Sequence, residues 1–339
     1  MGARIVVDAM GGDYAPEVNI KGALLALGDG KRADGLEVIL VGPRDLLLQE
    51  LTRHGGTESD RLKILQADEV ITMDDSAASA VRRKKNSSMH VGMRLIQEKH
   101  ADAFVSAGNS GAVMTTALMV LGRIQDVERP AIVVKLPTAE SFVTILDAGA
   151  NVDCRASQLF QFAQMGQIYA TVVENISNPR IALLSNGSET TKGNELTRET
   201  HALLENQNRL NYVGYVEGYD IFRGRADVII CDGFVGNVVL KLAEGLVDTA
   251  SLWFRKQIKH SFPAMLGAVL MQTVLKRFKN SFDYEPYGAA PLLGVDGMVL
   301  ISHGRSTEVA ISNGIFTAQR AVETRFQQRI VECFQSNGT

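Results

Sequence analysis

Cysteine is scarce in this chain: Cys154, Cys231 and Cys333 are the only three in 339 residues. They are too few for a disulfide scaffold and show no metal-ligand spacing, and an odd count in so long a chain suits a reducing compartment. The cytoplasm is therefore the expected location. Proline is also sparse, at 8 residues, and there is no linker or low-complexity tract rich in Pro, Gly or Ser. Neither sign of charge dominates: 35 Lys and Arg stand against 38 Asp and Glu, a net −3, so no global field draws in nucleic acid and any anionic partner must be met by a local patch. No apolar run reaches the roughly 18 residues of a membrane span. The nearest is 262–275. The N-terminal residues show no long apolar segment ahead of a cleavage site and enter a strand pattern almost at once. Also missing are Gly-x-Ser-x-Gly, a paired catalytic histidine, a Walker motif and a dinucleotide fingerprint. What remains is an ordinary globular composition, 45% hydrophobic, enough for one large α/β unit or two interwoven lobes with a substantial core.

Short runs of Val, Ile and Leu, each followed by Gly, Asn, Asp or Ser and then by a helical pattern, recur along the chain. The runs at 5–8, 38–41, 63–66, 103–106, 131–135, 143–146, 181–184, 228–231 and 298–301 read as parallel strands buried on both faces. Helical patterns such as 156–174 lie between them, giving a βα alternation. In such sheets ligands bind beyond the carboxyl ends of the strands. Gly11-Gly12-Asp13, Gly108-Asn109-Ser110-Gly111, Asn186-Gly187 and Asp232-Gly233 all fall there, pointing to one crevice. Residues 236–280 differ: an apolar stripe through Val239, Leu242, Leu246 and Trp253 is followed by a second helical pattern that Pro263 interrupts, which predicts a protruding helical hairpin. The last segment, 307–334, reads as a long amphipathic helix eased at Asn313-Gly314.

Several loops carry residues suited to chemistry. Glycines at 108 and 111 let the backbone approach an anion, and Ser110 with the first helical N–H groups can donate to phosphate; the same loop is equally a tight turn capped by Ser110. Arg82-Arg83-Lys84-Lys85 precedes another helix start, either as a solvated charged face or as a phosphate site. Lys192 lies in a polar loop after a strand, where it can neutralise a phosphate or oxyanion or simply face solvent. Asn237 stands near a helix start, as a carbonyl donor or a cap. Cys231 reads as a buried inert thiol, and His303 as a crevice or a structural residue. With no protein nucleophile in evidence, a substrate must serve, and phosphate dianion is suitable.

Taken in order, Asp8-Ala9-Met10-Gly11-Gly12-Asp13, Ser106-Ala107-Gly108-Asn109-Ser110-Gly111-Ala112, Glu128-Arg129-Pro130-Ala131, Leu146-Asp147-Ala148-Gly149-Ala150-Asn151, Lys192-Gly193-Asn194-Glu195, Phe234-Val235-Gly236-Asn237, Gly288-Ala289-Ala290-Pro291 and Ser302-His303-Gly304-Arg305-Ser306 resemble the phosphate acyltransferase (PlsX) family over nearly the whole chain. The resemblance implies a three-layer α/β/α, Rossmann-like fold similar to phosphotransacetylases and the isopropylmalate dehydrogenase group. It implies transfer of a long-chain fatty acyl group from acyl carrier protein to inorganic phosphate for phospholipid synthesis, in a homodimer, without metal or organic cofactor. Lys192 and Asn237 are the implied catalytic pair, with Gly108, Asn109, Ser110 and Gly111 on the phosphate and Arg83, Lys84 and His303 as helpers. Lys256, Lys259, Lys276 and Arg277 on the hairpin are suited to an acidic carrier or anionic lipid, and Leu266 and Val269 to a peripheral contact with the inner face of the cell membrane. The alternatives are a phosphotransacetylase using coenzyme A thioesters or a noncatalytic membrane-recruiting scaffold. A dehydrogenase of related fold lacks its dinucleotide and metal motifs here.

Overall fold

The computed structural model describes residues 2–274, 285 and 288–336. Twelve strands among these residues form two sheets. The first contains β1 (Ala3–Asp8), β2 (Leu36–Gly42), β3 (Leu62–Gln66), β4 (Ala103–Ser106), β5 (Ala131–Ile132), β11 (Ala290–Leu293) and β12 (Met298–Ile301), in the order β3-β2-β1-β4-β12-β11-β5. The second contains β6 (Val134–Pro137), β7 (Phe142–Leu146), β8 (Ile181–Leu184), β9 (Tyr212–Val216) and β10 (Val228–Ile230), in the order β6-β7-β10-β8-β9. Helices flank both, giving the mixed α/β Rossmann-type architecture.

Alternation along the central strands explains the layers. Ile5 and Val7 of β1 point to one face of the first sheet and Val6 to the other, all fully buried or nearly so. On the first face α1 (Glu17–Gly28) packs on α10 (Glu308–Glu323), and they approach so closely that a Cβ on Gly22 would stand 2.6 Å from the Ile311 side chain. On the second face lie α4 (Ser88–Gln97) and α5 (Ser110–Val120), with Phe104 filling the layer against Gly92. Burial on both faces is why these strands read as unbroken apolar runs.

The strands are not all parallel, as the runs had suggested. β6 pairs antiparallel with β7, and β11 antiparallel with both β12 and β5. The expected strand at 131–135 is two: it breaks at Val133, whose N–H bonds the Pro291 carbonyl, and its halves belong to different sheets. The chain crosses between sheets at that residue. β9 and β11 escaped the pattern because β9 carries exposed and glycine positions and β11 contains Pro291, a residue that argues against a strand unless its missing N–H is tolerated.

Helix ends also differ from expectation. α6 (Ala156–Val172) stops two residues early. α10 continues through Asn313 and Gly314, and the break falls at Arg325, which takes φ 53° before α11 (Phe326–Ser336). Gly314 is small because Ala289 and Ser302 press on it, not because the helix bends there. In the hairpin, α8 (Gly233–Lys259) is followed by α9 (Phe262–Leu270), which Ser261 caps and whose first turn accommodates Pro263; proline starts this helix rather than interrupting it. The expected residues Lys276 and Arg277, and the rest of the segment to 280, lie outside the described residues.

Phe104→Ala should empty the second face of the first sheet and cost about 3–5 kcal/mol of stability. Denaturant unfolding followed by circular dichroism checks this; a loss below 1 kcal/mol would mean that the layer collapses to fill the space.

Candidate functional site

The carboxyl end of the first sheet is stitched from three loops. Asp8, fully buried, accepts from Ser106 Oγ at 2.7 Å and Met10 N at 3.2 Å, and burial pushes its carboxyl above the usual range. Asn19 Nδ2 donates to the carbonyls of Ala9 and Gly11 at 3.0 and 2.9 Å. Asp13 N bonds Gly304 O at 2.8 Å, and Ser302 N bonds Ser106 O at 2.8 Å. Gly11 and Gly108 touch so closely that a Cβ on Gly11 would lie 2.7 Å from Gly108 N.

This frame aims the N-terminus of α5 outward. Its cap is Asn109, not Ser110: the Asn109 Oδ1 accepts from Ala112 N at 3.1 Å, while its amide donates to Met73 O at 3.1 Å and Asp75 O at 3.4 Å. Capping therefore occupies Asn109 and leaves Ser110, which is exposed, and Gly111 in the first turn, where helical N–H groups lack intrahelical acceptors.

At the second sheet the organising group is Asp147. Its Oδ1 accepts from the backbone N–H groups of Ile132, Gly149 and Ala150 at 2.9, 3.2 and 3.0 Å. Its Oδ2 accepts from Asn151 N and Nδ2 at 2.7 and 2.9 Å. The start of α8 rests on this turn: Gly233 N bonds Asn151 O at 2.7 Å, and a Cβ on Gly236 would stand 1.9 Å from the Asp147 carbonyl oxygen, so only glycine fits. Asp232 caps α8 by accepting from Val235 N at 2.8 Å. Asn237 is thus not a cap. It sits one turn in, exposed, with its Cβ 3.6 Å from where a Cβ on Gly149 would be, and among the described residues its amide makes no hydrogen bond.

Ser110, Gly149, Asn237 and His303 line one cavity of about 650 Å³ between the two sheets. His303 Nδ1 accepts from Arg305 N at 3.1 Å, which leaves Nε2 to carry the proton of the neutral ring. Burial, with Lys241 and Arg305 nearby, holds its pKa below the ordinary histidine value. The residue is a neutral donor in the cavity wall.

The other sequence-derived positions are placed as follows. Gly108 is buried under the loop. Lys192 is exposed in the turn after β8, where its N–H bonds Glu189 O at 2.9 Å and Gly193 N bonds Asn186 Oδ1 at 2.8 Å; it is not among the cavity-lining residues. Arg82 and Arg83 close the helix α3 (Ala77–Arg83), where cations suit the carbonyl end, and Arg83 points to solvent. Lys84 Nζ is held by Asp75 Oδ2 at 2.6 Å and Val70 O at 2.7 Å, and it keeps the Asp75 carboxyl down at about 2. Lys256 and Lys259 are exposed in the last turn of α8, and Leu266 and Val269 are exposed on α9. Cys231 is buried, with its thiol pushed well above the usual range by burial, as an inert thiol is. Sequence reasoning gave no role to Asp8 or Asp147. Each is a carboxylate closing a strand just before small residues, which is the signal that was available.

A family model described as fatty acid synthesis protein matches residues 3–329. The chain is 49% identical over 334 residues to a phosphate acyltransferase of Trichlorobacter lovleyi, covering 98% of this chain and 95% of that one. It is 47% identical over 336 residues to a phosphate acyltransferase of Geobacter sulfurreducens, covering 99% and 95%. Among solved structures it resembles a phosphotransacetylase from Streptococcus pyogenes, with TM-score 0.64 at 19% identity over 95% of this chain and 94% of that one. A branched-chain phosphotransacylase from Enterococcus faecalis gives 0.57 at 13% identity over 94% and 99%. At these identities the structural likeness concerns the fold.

Two outcomes follow from the geometry. Gly236→Ala must lift α8 and Asn237 with it, a displacement of the order that costs about 10²-fold in rate; Gly245→Ala, on the same helix with nothing within 4 Å, should leave turnover unchanged. Assays of acyl transfer on both variants check this. Separately, the depressed Asp75 carboxyl contributes stability that is present above its unfolded value of 3.8 and lost as pH falls towards about 2. The stability difference between wild type and Lys84→Met, measured by denaturant titration, should be constant above about pH 5 and shrink below it.

Proposed function

The chain belongs to the fatty acid synthesis protein family, it is an acyltransferase that passes an acyl group to phosphate, and we propose that its donor is a long-chain fatty acyl thioester of acyl carrier protein and its product an acyl phosphate for phospholipid synthesis. The observation that carries this reading is the meeting of Ser110 at a helix N-terminus, the unbonded Asn237 amide and the neutral His303 in one cavity.

In the proposed reaction, inorganic phosphate rests at the first turn of α5, held by Ser110 and Gly111 through backbone and hydroxyl donors, while Gly108, whose N–H is taken by Ser106 Oγ at 3.0 Å, and Asn109, whose side chain is taken by the cap, shape the loop beneath it. One phosphate oxygen attacks the thioester carbon, forming a C–O bond and a tetrahedral oxyanion. Asn237 donates to that oxyanion. Collapse breaks the C–S bond, and the proton of the hydrogen phosphate dianion ends on the departing thiol, so acyl phosphate and free carrier thiol are formed. Lys192 stands at the same carboxyl edge of the second sheet, after β8, the strand that pairs with β10, and offsets charge on phosphate or oxyanion. Arg83 acts only at long range from its solvent-facing position, and Lys84 acts through the Asp75 turn that Asn109 grips. A thioester is already activated, so positioning and electrostatic stabilisation suffice without a protein nucleophile.

The partners in this reading are the acidic carrier, a second copy of the chain and the membrane surface. Lys256 and Lys259 offer cations to the carrier. Leu242, Leu246 and Trp253 leave an exposed apolar stripe on α8 for the second copy, and Leu266, Val269 and Leu270 an exposed apolar tip on α9 for lipid. No helix among the described residues is long and apolar enough to cross a membrane, so that contact is peripheral.

Acyl phosphate formation measured with matched acyl-carrier-protein and acyl-coenzyme A donors tests the function; faster transfer from coenzyme A would replace it with the phosphotransacetylase reading. Lys192→Ala and Asn237→Ala should each cut turnover by about tenfold or more with the circular dichroism spectrum intact. Near-normal rates for both would overturn the catalytic assignment.

A further inference from the structure

The cavity does not end at Ser110, Asn237 and His303. Beside Gly149, Ala148 N bonds Ile132 O at 3.0 Å, and from there β6 and β7 carry the wall away from the site, with Lys135 opposite Thr144 and Pro137 opposite Phe142. Along β7, Thr144 and its partner Lys135 stand two residues, about 7 Å, beyond Leu146 at the end of the strand. α8 follows the same wall, with Asn237 and Glu244 about 10 Å apart along the helix. Val134, Leu240, Phe142 and Val173 line this stretch with apolar side chains, and Phe316 faces them from α10.

The far end is closed by charge. Lys135 and Glu174 form an ion pair whose side chains are only 15% and 5% exposed. Burial and the neighbouring Glu174 carboxylate hold the Tyr169 hydroxyl well above its usual range, and Lys135 Nζ lies 4.5 Å above the centre of the Phe142 ring. A methylene chain entering from the reacting end leaves water at every step until it meets this pair. One methylene more would have to part a buried cation from its carboxylate, or strip the pair of its remaining contacts, and either is costly.

We propose that the acyl chain of the donor lies along this channel and that the Lys135–Glu174 pair, packed against the Phe142 and Tyr169 rings, sets the longest chain the enzyme accepts. The inference rests on the acyl-transfer reading of the site and adds a specificity determinant to it.

The test uses the full-length enzyme with octanoyl, lauroyl, palmitoyl and stearoyl donors on the same carrier, and compares kcat/KM across the series. Replacing both charges at once, Lys135→Met with Glu174→Leu, removes the stop without leaving a lone buried charge. It should raise the ratio of the stearoyl to the lauroyl value by about tenfold. Val134→Phe, which narrows the channel at a half-buried position, should lower the ratio of the palmitoyl to the octanoyl value by about tenfold. The second variant decides the matter should the double replacement fail to fold. A wild-type length profile in the folded variants overturns the channel while leaving acyl transfer to phosphate intact; no acyl phosphate from any donor with the wild-type enzyme overturns both.

Discussion

The Asp147 carboxylate is the joint on which the site depends. It takes five N–H donors from three directions: the crossing segment at Ile132, its own turn at Gly149 to Asn151, and the Asn151 amide. The Asn151 amide also reaches the Pro130 carbonyl, and its backbone oxygen takes the first N–H of α8. A single buried acid thus binds the end of β7, the strand crossing and the helix that carries Asn237. An amide or hydroxyl in its place has too few lone pairs to satisfy these donors, and each buried N–H left unpaired costs about 1–3 kcal/mol.

Asp8 performs the corresponding task for the first sheet, holding the Ser106 hydroxyl and the Met10 turn so that Gly11 and Gly108 can touch. Each sheet therefore ends in a strand-terminal carboxylate buried under small residues, with a helix N-terminus projecting from the frame. The cavity forms where the two frames face each other. Both acids are engaged in holding these frames, and in the proposed reaction they keep Ser110 and Asn237 in position before substrate arrives, which is the condition for electrostatic stabilisation to be effective at the moment of reaction.

Much of this was legible in the sequence because the central strands are buried on both faces, so that β4, β8 and β12 appear as unbroken apolar runs with the right ends. The crossing at Val133 was not legible, since a run of Ala, Ile, Val and Val carries no mark of which sheet each half will join. β11 was hidden by Pro291, whose carbonyl rather than its absent N–H makes the useful bond. In the site, the glycines at 108 and 111 announced a close approach to an anion, but which residue capped α5 depended on the carbonyls of Met73 and Asp75, more than thirty residues away. Local spacing favours Ser110 as readily as Asn109. Lys84 illustrates the same limit: its charge was visible, whereas its capture by Asp75 is a tertiary fact.

A net charge of −3 appears unsuited to a protein that must bind phosphate dianion, yet the cavity does not share the average. Among its described lining residues Arg32, Lys135, Lys241 and Arg320 stand against Glu174 and Glu244, a surplus of two cations around a neutral histidine. Lys135 is spoken for by Glu174 deep in the channel, and its burial lowers its pKa. Arg32, Lys241 and Arg320 are exposed; Lys241 pairs with Glu244, Arg32 lies over the Phe316 ring, and Arg320 is close enough to the buried pair to act on Lys135. The cavity wall thus combines exposed cations, the neutral His303 and a closed ion pair. Low-dielectric walls concentrate the field of these exposed cations, so in the proposed reaction a near-neutral chain draws phosphate locally, and the attraction should weaken with salt as the cations are screened. In the proposed reaction the uncharged Ser110 and Asn237 donors hold the reactants without a tight ground-state ion pair, which leaves their hydrogen bonds, with the charge of Lys192, to strengthen as charge moves onto the thioester oxygen.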